Sequence, residues 1–202
     1  MKLAASQELH AYWNLLRGAR SAPERSEIDP SAIRGVLADT FILEADKSKR
    51  YPIRVSGTRT NCLFGRELKG AAFIDLWQAA DQREVTTMLA SVADEATAIV
   101  AGVSAGPAGA RPLQLELLLL PLRHHGDTHA RVLGAVSPAS LPTWIGLFAA
   151  GPMSLLSLRT LRRADYPASA RDESGRRAAF GRTVPIDRRG HLVVLRGAGP
   201  PP

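Results

Sequence analysis

The sequence predicts an α/β domain of the α+β kind: one antiparallel sheet of five strands flanked by short helices, with an N-terminal amphipathic helix and a basic C-terminal extension. Three observations carry this prediction. Between residues 40 and 137 the order runs two strand-like segments, a cluster of short helical pieces, one longer helix and three more strand-like segments. Leu113, Leu115, Leu117 and Leu119 alternate with Gln114 and Glu116, and beyond Glu116 both faces turn apolar. A strand covered on one face at its start and on both faces farther along has that pattern. Leu9, Tyr12, Trp13 and Leu16 fall at i, i+3, i+4 and i+7, an apolar stripe that must find a surface to cover.

The stripe predicts a helix that stops near Gly18. Two uses are open to it: packing on the domain's own sheet as its second cover, or anchoring a dimer or partner contact through Leu9, Tyr12, Trp13 and Leu16. Residues Ala19 to Ile28 read as a polar linker, so residues 1–28 form the first division of the chain. Asp29-Pro30 reads as an N-cap followed by proline at the first helical position, opening a short helix with Ile33, Val36 and Leu37 on its apolar side. Thr40 to Glu44 is the first strand, Ala45 to Arg50 a charged turn, and Tyr51 to Ser56 the second strand, ending at Gly57-Thr58. Asp81 and Glu84 have the spacing of a capping box, and Val85, Met88, Leu89 and Val92 continue as one helical stripe. Ala98 to Ala105, Leu113 to Arg123 and Arg131 to Ser137 are the remaining strands, with turns at 106–112 and 124–129. The central domain therefore spans 29–140, and 141–202 is a partly flexible extension. Within that extension, Ala164 to Asp187 lacks an apolar period. His191 to Leu195 is a β-prone run that either adds to a sheet edge or stays a loose end.

Composition narrows the function classes. The chain has 202 residues, 45% of them hydrophobic, and a single cysteine, Cys62, which excludes an intramolecular disulfide. The N-terminus lacks the apolar run of a signal peptide, so a cytoplasmic location is expected. An uncharged stretch lies between Arg131 and Arg159, but Pro138, Pro142 and Pro152 would break a spanning helix there, and no membrane span is expected. The net charge of +7 is uneven: from Arg159 onward there are ten arginines against four acids, while the preceding body is nearly neutral. A diffuse excess of this kind supports solubility and weak contacts before specific binding.

No arrangement for bond-making chemistry is visible. His124, His125 and His129 share one turn, but a zinc site wants four ligands at fixed spacing, and these read as a solvated turn with no metal. There is no G-x-S-x-G elbow and no phosphate-binding glycine loop, so no catalytic residue is assigned and an enzyme is not expected. The pairs Arg162-Arg163, Arg176-Arg177 and Arg188-Arg189 could clamp phosphates, which makes a nucleotide or nucleic-acid binder the alternative reading. The tail offers only Tyr166 and Phe180 for stacking on bases, which favours solvated arginines over a nucleic-acid surface.

The motifs YWNLLRG (12–18), EIDP (27–30), FILE (41–44), GTR (57–59), FGRELKG (64–70), LELLLLPLRH (115–124) and LGA (133–135) occur in one order. With the strand and helix sequence from Phe41 to Ser137, they resemble the PAS domain, and within it a family of small stand-alone bacterial proteins of alphaproteobacterial type. The resemblance implies a sheet folded around a pocket lined by Val55, Cys62, Leu63, Phe64, Phe73, Trp77, Met88, Leu117, Leu119 and Val132. It implies a regulatory protein that works in bacterial signalling by contact with other proteins, as a homodimer, with room for a small apolar metabolite in the core. A PAS cysteine at the place of Cys62 could hold a flavin or ligate haem. However, the residues around it do not match the flavin-sensor consensus, the long helix contains no histidine, and no cofactor is evident.

Overall fold

Opposite faces of one strand explain the layered architecture. Leu115, Leu117 and Leu119 are buried on one side of the strand Leu113–His124, while Leu118, Leu120 and Leu122 are buried on the other. Only a central strand covered by two layers buries both sets. The computed structural model describes residues 1–161 and the backbone of 187–189 and 192–194. Six strands form one antiparallel sheet: β1 (Thr40–Glu44), β2 (Ile53–Ser56), β3 (Ala98–Ala105), β4 (Leu113–His124), β5 (Asp127–Pro138) and β6 (Ser154–Leu161). Their spatial order is β2-β1-β5-β4-β3-β6.

The sheet has one strand more than expected. β6 pairs with the free side of β3, Leu158 opposite Ala101 and Leu155 opposite Val103. One compact unit runs from Met1 to Tyr166 and includes the N-terminal helix, and the second is Pro167–Pro202. In that second unit β7 (Asp187–Arg189) and β8 (Leu192–Val194) pair antiparallel, Asp187 opposite Val194. The β-prone run near the C-terminus thus forms a strand of a separate two-stranded sheet. The patternless reading of Ala164 to Asp187 falls almost wholly outside the described residues.

The inner layer consists of α2 (Thr58–Phe64), a 3-10 turn at Phe73–Leu76 and α3 (Gln82–Asp94). Val85, Met88, Leu89 and Val92 point from α3 onto the sheet, as their spacing predicts. The capping box before α3 does not form. Asp81 sits in the helical region instead of the extended one, makes no side-chain cap bond, and accepts the Leu155 N–H on β6 at 3.0 Å. That carboxylate therefore joins α3 to the sixth strand. Gly134 is required by packing: a Cβ there would lie 2.2 Å from the Phe41 ring.

The outer layer is α1 (Ala4–Arg17) with the segment that follows it. Leu9 and Trp13 are fully buried against Ile42, Leu118, Leu120, Leu122 and Leu133. Both ends of the helix are fixed to β4. Glu116 accepts the Lys2 and Leu3 amides at 2.7 and 3.2 Å, and the Trp13 indole donates to the Pro121 carbonyl at 2.8 Å. Ala19 to Ile28 is more than a linker: Ala22 and Ile28 are buried, and the Arg123 amide donates to the Pro23 carbonyl at 2.9 Å. Asp29 caps a 3-10 turn at Pro30–Ile33 by accepting from the Ser31 amide, as the Asp-Pro pair suggests.

Candidate functional site

Ten residues were expected to line a pocket, and eight of them meet in the inner core. Leu63, Phe64, Phe73, Trp77, Met88, Leu117, Leu119 and Val132 belong to one buried cluster. Phe73 lies between Phe41 and Trp77, with ring centroids 5.1 and 5.9 Å away. The Trp77 indole N–H is buried in this apolar setting with no acceptor among the described residues. Unpaired buried donors are uncommon in folded proteins, and this one points to a place where an acceptor could be taken up.

The other two residues lie elsewhere. A register shift between Ile42 and Leu43 sets Val55 opposite Ile42 and Ile53 opposite Leu43, so Arg54 is the extra residue of a bulge. One inserted residue reverses the faces beyond it. Ile53 therefore enters the inner core while Val55 is left 47% exposed. Cys62 is exposed on α2 instead of lining the core. It borders a surface recess of about 350 Å³ shared with Ala38, Thr58, Arg59, Leu141, Pro142 and Ile145. Beside that recess the Arg59 guanidinium donates to Asp39 at 2.6 Å, and Asp39 is buried with its second oxygen unpartnered among the described residues.

The segment 139–153 crosses the helical layer as a strap. Trp144, Ile145 and Ala150 pack partly buried on the inner core, and Met153 enters it. Backbone bonds hold the strap down: the Ala150 amide donates to Leu63 at 2.8 Å, and the Met153 amide donates to Leu76 at 2.7 Å. Gly65 allows the approach, since it ends α2 at φ +63° and a Cβ there would meet Ala149 at 2.8 Å. What the strap does not bury is informative. Leu147 is 75% exposed and Phe148 63% exposed, with Leu141 also exposed beside the recess. Contiguous exposed apolar side chains of this kind mark contact surfaces.

On the outer face, the residues expected to form an interface divide. Leu9 and Trp13 are consumed by the protein's own sheet, while Tyr12 and Leu16 are half-buried. Tyr12 accepts the Asp29 amide at 2.8 Å and so ties the helix to the next turn. Arg17 stacks 5.2 Å from the Trp13 ring centroid and donates to Asn14 and to the Arg20 carbonyl. Burial, helped by Arg17 and the amino terminus, holds the His10 imidazole down to about 4. His129 does not sit in a solvated turn: it is buried, with Nε2 3.0 Å from the Ser21 hydroxyl, and burial lowers its pKa as well. His124 and His125 stay at the turn, their rings 4.0 Å apart. Among the described residues no group of histidine, cysteine and acidic side chains has the geometry of a metal site. No helix among them is long and apolar enough to cross a membrane.

Sequence reasoning missed the exposed pair Leu147 and Phe148 and the clamps made by Glu116 and Asp39. The strap's apolar residues stand in the sequence, but apolar residues do not announce which of them stay outside.

The profile of a family described as PAS domain matches residues 1–137. Among solved structures, the LOV protein of Rhodobacter sphaeroides aligns with 57% of this chain and 71% of its own, at 11% identity and a TM-score of 0.41. The dark structure of the LOV domain of the blue-light photoreceptor Aureochrome1 aligns with 58% of this chain and 86% of its own, at 15% identity and a TM-score of 0.40. No curated protein matches the chain.

Proposed function

The chain belongs to the PAS domain family, and from that premise we propose that it is a sensory or regulatory protein of the cytoplasm that signals by docking onto another regulatory protein. The observation that carries the reading is the strap: Leu147 and Phe148 stand out of a segment that sends Trp144, Ile145 and Met153 to the core. A partner that covers them is coupled through Trp144, Ile145 and Met153 to the cluster around Phe73 and Trp77. The inner core is the place for a small apolar ligand carrying one hydrogen-bond acceptor for the Trp77 indole. The protein works by recognition and not by bond-making, and it works as a homodimer.

Quantitative cross-linking in host cells tests the docking. The double substitution Leu147→Glu with Phe148→Glu should remove a defined set of partners, while Leu15→Glu on the exposed side of α1 should keep them. Identical partner sets for all three proteins would sink the proposal. Native mass spectrometry with an absorbance spectrum tests the ligand. An added mass that Trp77→Phe weakens supports it, and the bare chain mass from cells speaks against it. The nucleotide or nucleic-acid alternative rests on arginines beyond residue 161, outside the described side chains. Binding that weakens steeply with salt would favour it.

A further inference from the structure

We infer that the outer edge of β6 is the contact between two copies of this chain, joined antiparallel about a two-fold axis near Leu158 so that the two sheets continue into one. The inference rests on the homodimeric reading above and gives it a surface, since Leu9 and Trp13, two of the four side chains expected to serve on α1, are used within the chain.

The two ends of the sheet differ. At the β2 end the edge is occupied: the Ile53 amide donates to Ala71 at 2.9 Å, and its carbonyl accepts from Gly70 at 2.7 Å. At the β6 end Asp81 takes the Leu155 amide, and from Leu156 to Thr160 no further strand lies alongside among the described residues. An open edge is a template for pairing, and proteins usually blunt one with charge or proline. From Ser154 to Leu158 the strand SLLSL has neither, and Leu156 and Leu158 are 55% and 44% exposed.

A second copy fits this edge for two reasons. About an axis at Leu158, antiparallel pairing sets Leu158 against its own counterpart and Arg159 against Ser157 of the other copy, so no like charges face each other directly. The body of the chain is also close to electrically neutral, with 16 basic and 15 acidic residues before Arg159, so two such bodies approach without strong repulsion. The bulge between Gly102 and Val103 twists the strand's start and leaves the later half as the part available for pairing.

Sedimentation of the full chain tests the inference. Wild type should run at twice its 21.7 kDa mass at tens of micromolar, and Leu158→Lys or Leu156→Lys should return it to one chain mass with an unchanged melting curve. Phe148→Glu should remain dimeric, which separates this contact from partner docking at the strap. As a readout that leaves the fold nearly intact, Leu158→Cys in a Cys62→Ser background should form an intermolecular disulfide when diamide is added, because opposed residues of paired strands lie within disulfide reach. Leu147→Cys in the same background should not. A wild type that sediments as a single chain overturns the inference, whatever covers the edge instead. So does a folded Leu158→Lys protein that stays dimeric, or a cross-link at 147 and none at 158.

Discussion

Replacing Trp13 by alanine tests whether α1 is an integral layer or a detachable arm. The indole is 1% exposed, so nearly all of its surface is lost from water on folding. Truncating a buried Trp to Ala typically costs about 3–5 kcal/mol through lost transfer energy and the cavity left behind. The indole also donates at 2.8 Å to the Pro121 carbonyl, whose loss adds about 1–3 kcal/mol if the acceptor stays dry. The stacked Arg17 loses its aromatic partner, worth on the order of 0.5–1 kcal/mol. These terms overlap, and an expected total near 4–6 kcal/mol is a large part of the roughly 5–15 kcal/mol that a domain has. Urea unfolding followed by far-UV circular dichroism reads the change without relying on Trp emission. With a slope of about 1–3 kcal/mol per molar, the midpoint should move down by roughly 1.3 M or more, or the variant should be unfolded in buffer. Trp13→Phe keeps most of the ring and loses the donor, so a cost of about 1–3 kcal/mol and a measurable midpoint are expected. If Trp13→Ala costs less than about 1 kcal/mol, the helix is not packed on the sheet and the reasoning fails.

Other outcomes follow from particular contacts. Gly134→Ala should destabilise by more than about 2 kcal/mol in the same urea assay, because its Cβ would overlap the Phe41 ring, itself stacked on Phe73. Arg59→Ala leaves the buried Asp39 carboxylate uncompensated and should cost about 2–4 kcal/mol, and adding Asp39→Asn should recover part of that loss in a double-mutant cycle. His10 binds protons less readily folded, at about 4, than unfolded, at 6.5. Its contribution to stability is therefore complete above pH 6.5 and is lost as pH falls towards 4, by up to about 2 kcal/mol after allowance for solvent screening. Melting temperatures across that range should fall less steeply for His10→Gln, and parallel curves would contradict the assignment.

The strands and long helices were legible because each repeats a backbone period over many residues. Thr40–Glu44 and Ala98–Ala105 form as read, and the stripe from Val85 to Val92 faces inward. The double-sided burial of Leu117 to Leu122 was also legible, since no solvated strand would carry that run. Local capping signals were less dependable: Asp29 caps its turn, whereas Asp81, with equally suitable chemistry, is drawn to an amide on β6 that is distant in sequence. The face of Val55 could not be read, because a single bulge residue at Arg54 reverses it. The sixth strand was hidden for a similar reason: SLLSLRTL has no alternation to announce it, and it becomes a strand by pairing with β3.

Taken alone, the order of amino acids determined the succession of strands and helices and the stripe on α1, because these follow from periodicity along the chain, while the lining of the core was implied by the resemblance to the PAS domain. Tertiary structure decided what the stripe covers, which strap residues stay outside and which sheet edge stays open among the described residues. Those are competitions between segments for the same surface, and their outcome depends on distances through space that no local pattern encodes.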